Sequence, residues 1–235
     1  MLNSKLYLHI ENNEYIKCYN KKGICKKIFT SNVESIKNKR LVIIFETKDV
    51  LIKEITFPNV PKSFEYNMVY NELIYEIGKS EDIIFDYSIH KYSDKMTEVF
   101  AYCLRYDNDK IFKSLLKSNS IAGIYNLPML FLNCIKVSVS EYLAVCKSSN
   151  KMYIMACYNN CMVGFNSFDY CSKEDLNKSL VFFISEFLDE KYKKCQESVY
   201  FINFDISEFI LEKAEKCKYY NIGRITIDEI IKKIH

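Results

Sequence analysis

The side chains here that could do chemistry are thiols, imidazoles and the polar tips of turns. Cys157 and Cys161 flank a turn at Asn159-Asn160 and would make half of a metal site. No Cys-x-x-Cys pair accompanies them, and His9, His90 and His235 lie far apart, so a metal is not expected. A Gly-x-Ser-x-Gly elbow is absent, and no cysteine stands at an interpretable spacing from a histidine, which argues against hydrolase and thiol-enzyme chemistry. The turn in "LAVCKSSNKMYIMACYNN", residues 143–160, is of another kind. A hairpin tip can cradle a phosphate when its backbone N–H groups press close to the ligand, which glycine allows most cheaply, and when a carboxylate serves the accompanying magnesium. This tip offers Cys146-Lys147-Ser148 instead.

The elements that would position such turns follow from periodicity. "KLYLHI", "EYIKCYN" and "ICKKIFT" alternate as strands and predict a three-stranded meander over residues 5–31. "LVIIFET" and "VLIKEITF" predict a hairpin whose first arm is apolar enough to be covered on both faces. Pro58 and Pro61 stop the sheet; Ser63 is placed to cap a helix with Tyr66, Val69, Tyr70, Leu73, Ile74 and Ile77 at helical spacing, ended by Gly78. "IIFDYSIHKY" and "TEVFAYCLRY" predict two strands and "NDKIFKSLLKSNS" a helix, so residues 41–120 form an α+β module. "IAGIY" predicts a strand, broken before a helix at Pro128. The hairpin of 143–158 with "CMVGFNSFDY" predicts a second meander. A helix capped by Ser172 and running to Tyr192, a strand "SVYFINF", a helix "ISEFILEKAEKCKYY", a strand "RITI" and a final turn of helix complete the chain. The expected segments are 1–40, 41–120 and 121–235. No tandem repeat is visible, but each half opens with a meander followed by helices.

Composition bounds the rest. A chain of 235 residues with 49% hydrophobic and 15% aromatic residues buries a sizeable core. The start carries no secretory signal and no stretch supplies ~18 uninterrupted apolar residues, so a soluble chain is expected. The ten cysteines are scattered through apolar segments and are expected reduced and buried. Net charge is +3, with only Arg40, Arg105 and Arg224 among 33 basic residues; the lysines alternate with acids, so nucleic-acid binding is not expected. The densest basic runs, "NKKGICKK" and "IKNKR", sit near turns and are expected to be solvated edges.

Specific residues carry a resemblance. "IKEITFPNVP" before an amphipathic helix, then Asp86-Tyr87 opening a strand, then Ala122-Gly123-Ile124 leading into the second half, resemble the pattern of the type IV pilus assembly protein PilM family. That family belongs with the FtsA-type actin-like ATPases, and the cytoplasmic domain of the type II secretion protein GspL is similar to it. The resemblance implies an α/β (α+β) fold, actin-like (ribonuclease H-like), of two halves. Each half is then a mixed sheet led by a three-stranded meander, with an inserted α+β module in the first.

The departures from that pattern bear on chemistry. The first phosphate turn of such ATPases falls on "LHIENNEYIK", which offers His9 or Glu11 and Asn12; the second falls on Cys146 and Ser148; the adenine-side Gly-Gly step has become Asn203-Phe204. The five glycines, Gly23, Gly78, Gly123, Gly164 and Gly223, are expected at none of these turns. The expectation is therefore a degenerate, non-catalytic member with no cofactor. By resemblance its partners are the short cytoplasmic tail of a PilN-like membrane protein, bound between the meander of 5–31 and the module of 41–120, and the pilus motor ATPase. It would lie in the cytoplasm at the inner face of the membrane, held there only by partners. The alternative is a working actin-like ATPase that polymerises or switches with ATP, which needs an acid near residue 9 or 11 and a usable turn at 146–149.

Overall fold

A computed structural model describes residues 5–10, 15–20, 22–46, 50–78, 83–105, 109–205 and 217–234. In chain order the first elements are β1 (Lys5–Ile10), β2 (Tyr15–Asn20), β3 (Gly23–Phe29), a 3-10 turn (Thr30–Ser35), β4 (Arg40–Phe45), β5 (Val50–Pro58) and α1 (Lys62–Ile77). β6 (Ile83–Tyr92), β7 (Met96–Arg105), α2 (Asp109–Ser118), β8 (Ser120–Asn126) and α3 (Leu127–Leu132) follow. The second half has β9 (Glu141–Ser148), β10 (Lys151–Tyr158), β11 (Cys161–Asp169), α4 (Lys173–Glu186), a 3-10 turn (Glu190–Glu197), β12 (Ser198–Ile202), β13 (Lys218–Gly223) and α5 (Ile227–Lys233). These make two compact units, one of residues 1–47, 106–136 and 224–235, the other of 48–105 and 137–223.

The first unit is built on a sheet of order β3-β2-β1-β4-β8. β1, β2 and β3 form the expected antiparallel meander. β4 does not hairpin with β5, as its sequence neighbourhood suggested, but lies parallel between β1 and β8. Leu41 to Phe45 are all buried, which suits a central strand covered on both faces, and no local turn is needed to bring parallel partners together. Phe45 meets Phe112 of α2 edge to face on one side of this sheet.

The second unit repeats the plan. Its main sheet has the order β11-β10-β9-β12-β13, again an antiparallel meander whose first strand continues into parallel neighbours. The architectural repeat expected from two meander-first halves is present, strand for strand. In both sheets the outer pair of the meander carries a register shift, at Cys18/Tyr19 and at Ala156/Cys157. The same unit contains a smaller antiparallel sheet, β5-β7-β6. Val69 and Leu73 of α1 pack on Ile55, Phe57, Val99, Ala101 and Cys103 of that sheet. The neighbouring side chains of β7 reach beyond it: Tyr102 Oη accepts from the Met162 N–H of the meander at 3.1 Å, and Phe100 meets Tyr192 of the 3-10 turn edge to face.

Local expectations fared unevenly. Gly78 ends α1 at φ +82°, its N–H on the Ile74 carbonyl. The N-cap, however, is Pro61, and Ser63 lies inside the helix. Asp175 accepts from the Cys171 and Ser172 N–H groups at 2.9 and 2.7 Å, closing the start of α4 and holding its carboxyl below the usual range. α4 stops at Glu186 rather than Tyr192, and the 3-10 turn follows. The last strand is Lys218–Gly223, not "RITI", since Thr226 instead caps α5 by accepting from the Glu229 N–H. Most of the helix expected over 206–220 lies outside the described residues.

Candidate functional site

The positions singled out in the sequence fall at the ends of strands in each five-stranded sheet. In the first unit Glu11 and Asn12 lie outside the described residues, and His9 is described. It stands at the end of β1, opposite Lys17 of β2 and Ile44 of β4, and is 2% exposed. Its Nε2 lies 3.4 Å from Glu46 Oε1, just past the end of β4. The two side chains are close enough to interact as a pair, yet neither ring nitrogen has a hydrogen-bonding partner in good geometry. Sequence reasoning named His9 and missed Glu46. The only signal was an acid closing an all-apolar strand, and it becomes informative only once β1 and β4 are known to run parallel.

In the second unit Cys146, Ser148 and Asn203 are brought together. Cys146 pairs with Tyr153 across the hairpin and with Ile202 of β12, so Asn203 follows directly beside the hairpin tip. Asn203 Nδ2 donates to the Lys147 carbonyl at 3.1 Å, and its own N–H donates to the Gly223 carbonyl at 2.9 Å. Cys146 is fully buried and faces the core. Ser148 is the half-buried last residue of β9, opposite Lys151.

Lys147 was quoted in the turn but its part was not foreseen. Its ammonium sits 4.4 Å from the centroid of the Tyr170 ring and 5.8 Å from that of Phe204, and these two rings meet edge to face. Tyr170 is fixed in turn by its N–H on the Asn150 carbonyl at 2.8 Å. Left-handed backbone, which glycine adopts most cheaply, occurs here at Ser149 (φ +51°) and Asn203 (φ +65°). The turn thus keeps its shape with side chains in place, and those side chains bond to the protein itself. A phosphate would have to compete with the aromatic rings for Lys147 and with a Cβ at each left-handed position.

The paired cysteines fit packing. Burial pushes the Cys157 thiol up to about 12 and raises Cys161 as well, so both hold their protons at neutral pH. Cys161 Sγ donates to the Ile89 carbonyl at 3.7 Å and Cys195 Sγ to the Cys157 carbonyl at 3.2 Å. Among the described residues no group of three or more metal-binding side chains converges.

No family model and no curated protein matches this sequence. Solved structures do match, over nearly the whole chain. A Bacteroides thetaiotaomicron VPI-5482 protein with an actin-like ATPase fold and unknown function is 12% identical, with a TM-score of 0.53, over 99% of this chain and 96% of that one. The cytoplasmic domain of EpsL, an inner-membrane component of the Vibrio cholerae type II secretion system, is 10% identical with a TM-score of 0.55, over 98% and 94%. A chain of the PilM-PilN type IV pilus biogenesis complex is 10% identical with a TM-score of 0.60, over 95% and 88%. At these identities it is the fold that is shared, and the chain has the actin-like fold.

Proposed function

We propose that this chain is a non-catalytic actin-like scaffold in the assembly platform of a type IV pilus or a related secretion machine. It binds the cytoplasmic tail of a PilN-like membrane protein and links that protein to the motor ATPase. It works in the cytoplasm and reaches the membrane through its partners; none of the described helices is long and apolar enough to cross a bilayer. The likeness to the PilM-PilN complex and to the EpsL cytoplasmic domain supports the setting. The observation that carries the non-catalytic part is the self-occupied turn: Lys147 held over Tyr170 and Phe204, and Asn203 bonded to the Lys147 carbonyl.

The rival reading, an actin-like ATPase that polymerises or switches with ATP, draws on one observation of its own. Glu46 supplies an acid beside His9 at the end of a parallel strand pair, where the first turn would need one. Two measurements separate the readings. A ligand at a hundred times its dissociation constant adds roughly 2.7 kcal/mol of stability, so millimolar ATP with magnesium raises the melting temperature of a nucleotide-binding protein by several degrees. The scaffold gives no shift, and binds a synthetic cytoplasmic-tail peptide from a PilN-like protein in calorimetry. A clear shift with ATP, or a folded protein with no affinity for the tail, overturns the proposal.

A further inference from the structure

The outer strand of the first unit's sheet is an edge. β3 ends the order β3-β2-β1-β4-β8 and, among the described residues, pairs with β2 alone. Lys26 and Lys27 are exposed along it, and Phe29, a large aromatic, is 65% exposed at its end. Lys27 stands directly opposite Lys17 of β2, a like-charge cross-strand pair that costs stability. Both ammonium groups gather at one ring: Lys27 Nζ lies 3.4 Å and Lys17 Nζ 5.9 Å from the centroid of Tyr15. Neither Lys26 nor Lys27 has an acidic partner among the described residues. After the strand, the 3-10 turn of 30–35 folds back and leaves an open groove of about 430 Å3 lined by Lys26, Lys27, Ile28, Phe29, Ser31 and Glu34.

We infer that this edge docks an extended acidic segment of a partner protein, added to the sheet as a further strand. Main-chain bonding to a free edge supplies affinity without regard to sequence, and the side chains of the edge select what binds. The order along β3 is Lys26, Lys27, Ile28, Phe29, with Lys26 and Ile28 on one face and Lys27 and Phe29 on the other. An antiparallel segment with two adjacent carboxylate residues beside two adjacent apolar ones places an acid at each lysine and an apolar side chain at each apolar position, on both faces at once. Lysines on an edge also serve to keep edges apart, and here the same charges do both: a second copy would set its lysines against these, whereas an acidic strand is drawn to Lys26 and Lys27. The inference stands or falls without the proposed function.

The test uses the full chain and a labelled peptide of about eight residues, the length of an ordinary strand, carrying Ile-Val next to Asp-Glu. Fluorescence anisotropy should show binding that weakens with added salt, and K26E/K27E should weaken it by about tenfold or more. A peptide with Lys-Lys in place of Asp-Glu should fail on the natural chain and bind the K26E/K27E protein. Melting of that variant is measured alongside; if it does not fold, K26Q/K27Q, which removes charge without reversing it, is read in the same way. Equal affinity of natural and variant chains overturns the inference, as does equal binding of the acidic and basic peptides or no binding at millimolar peptide. Concentration-dependent dimers that disappear in Phe29→Glu would assign the edge to a second copy and overturn it equally.

Discussion

Asn203 combines two properties that a glycine at its position could not. It holds φ at +65°, and its amide donates to the Lys147 carbonyl. Asn203→Gly keeps the backbone and loses the bond, at a cost of about 1 kcal/mol; Asn203→Ala loses the bond and adds left-handed strain, at about 2 kcal/mol or more. Urea unfolding of the pair should show that order, and an alanine variant as stable as the glycine one would mean the backbone relaxes out of the left-handed region. Lys147→Gln removes the charge over Tyr170 and Phe204 and should cost about 1 kcal/mol, with no loss of tail binding. An unchanged urea midpoint would deprive the self-occupied turn of its energetic basis. The sequence drew attention to Cys146, Ser148 and Asn203 because a phosphate turn at those positions would call for glycine and aspartate. It could not show what surrounds them. The rings over Lys147 come from the residue after β11 and the residue after Asn203, and only the sheet order brings both to one hairpin tip.

At the scale of elements, local patterns were legible and long-range pairing was not. Both meanders could be seen from alternation broken by polar tips, because antiparallel neighbours leave a turn in the sequence. β4 was seen as a strand buried on both faces, yet its parallel partners β1 and β8 leave no such mark. The first residues of β13, Lys218 to Tyr220, fall in the segment expected as a helix; in place, Tyr220 stacks on Tyr200 of the neighbouring strand, ring centroids 4.6 Å apart. α1 was legible by period, but the contact that ties it to its sheet was not. Glu65 is 3% exposed and accepts from the hydroxyl of Tyr92 at 2.9 Å and that of Tyr87 at 3.4 Å. Glu65→Ala should cost about 2 kcal/mol and Tyr92→Phe about 1, since a bond to a charged acceptor exceeds a neutral one and truncation strands its donors. The double variant should cost less than the sum, and strict additivity would show that the pair does not act together.

At the scale of the whole molecule, several groups of the second unit are held neutral by burial. Burial raises the thiols of Cys103, Cys161 and Cys195, the last to about 11, takes Cys157 to about 12, and raises the phenols of Tyr102 and Tyr142. In the first unit burial raises the Tyr7 phenol in the same direction. A group whose folded pKa lies above its unfolded one binds its proton more tightly in the native state. Its contribution is therefore whole below the unfolded value and is lost as pH climbs toward the folded one. For these thiols the loss begins near pH 9.0 and runs through about 11 for Cys195 and about 12 for Cys157. The second unit should accordingly loosen on the alkaline side. Brief pulses of an alkylating reagent, read by mass spectrometry, would report this directly. Cys171 is exposed and labels at every pH, whereas Cys146, Cys157 and Cys195 of the second unit and Cys18 of the first are buried and label only on opening. Between pH 9.0 and about 11, label should enter Cys157 and Cys195. No entry into either over that range would show that the buried thiols and phenols of the second sheet do not set the alkaline limit of the fold.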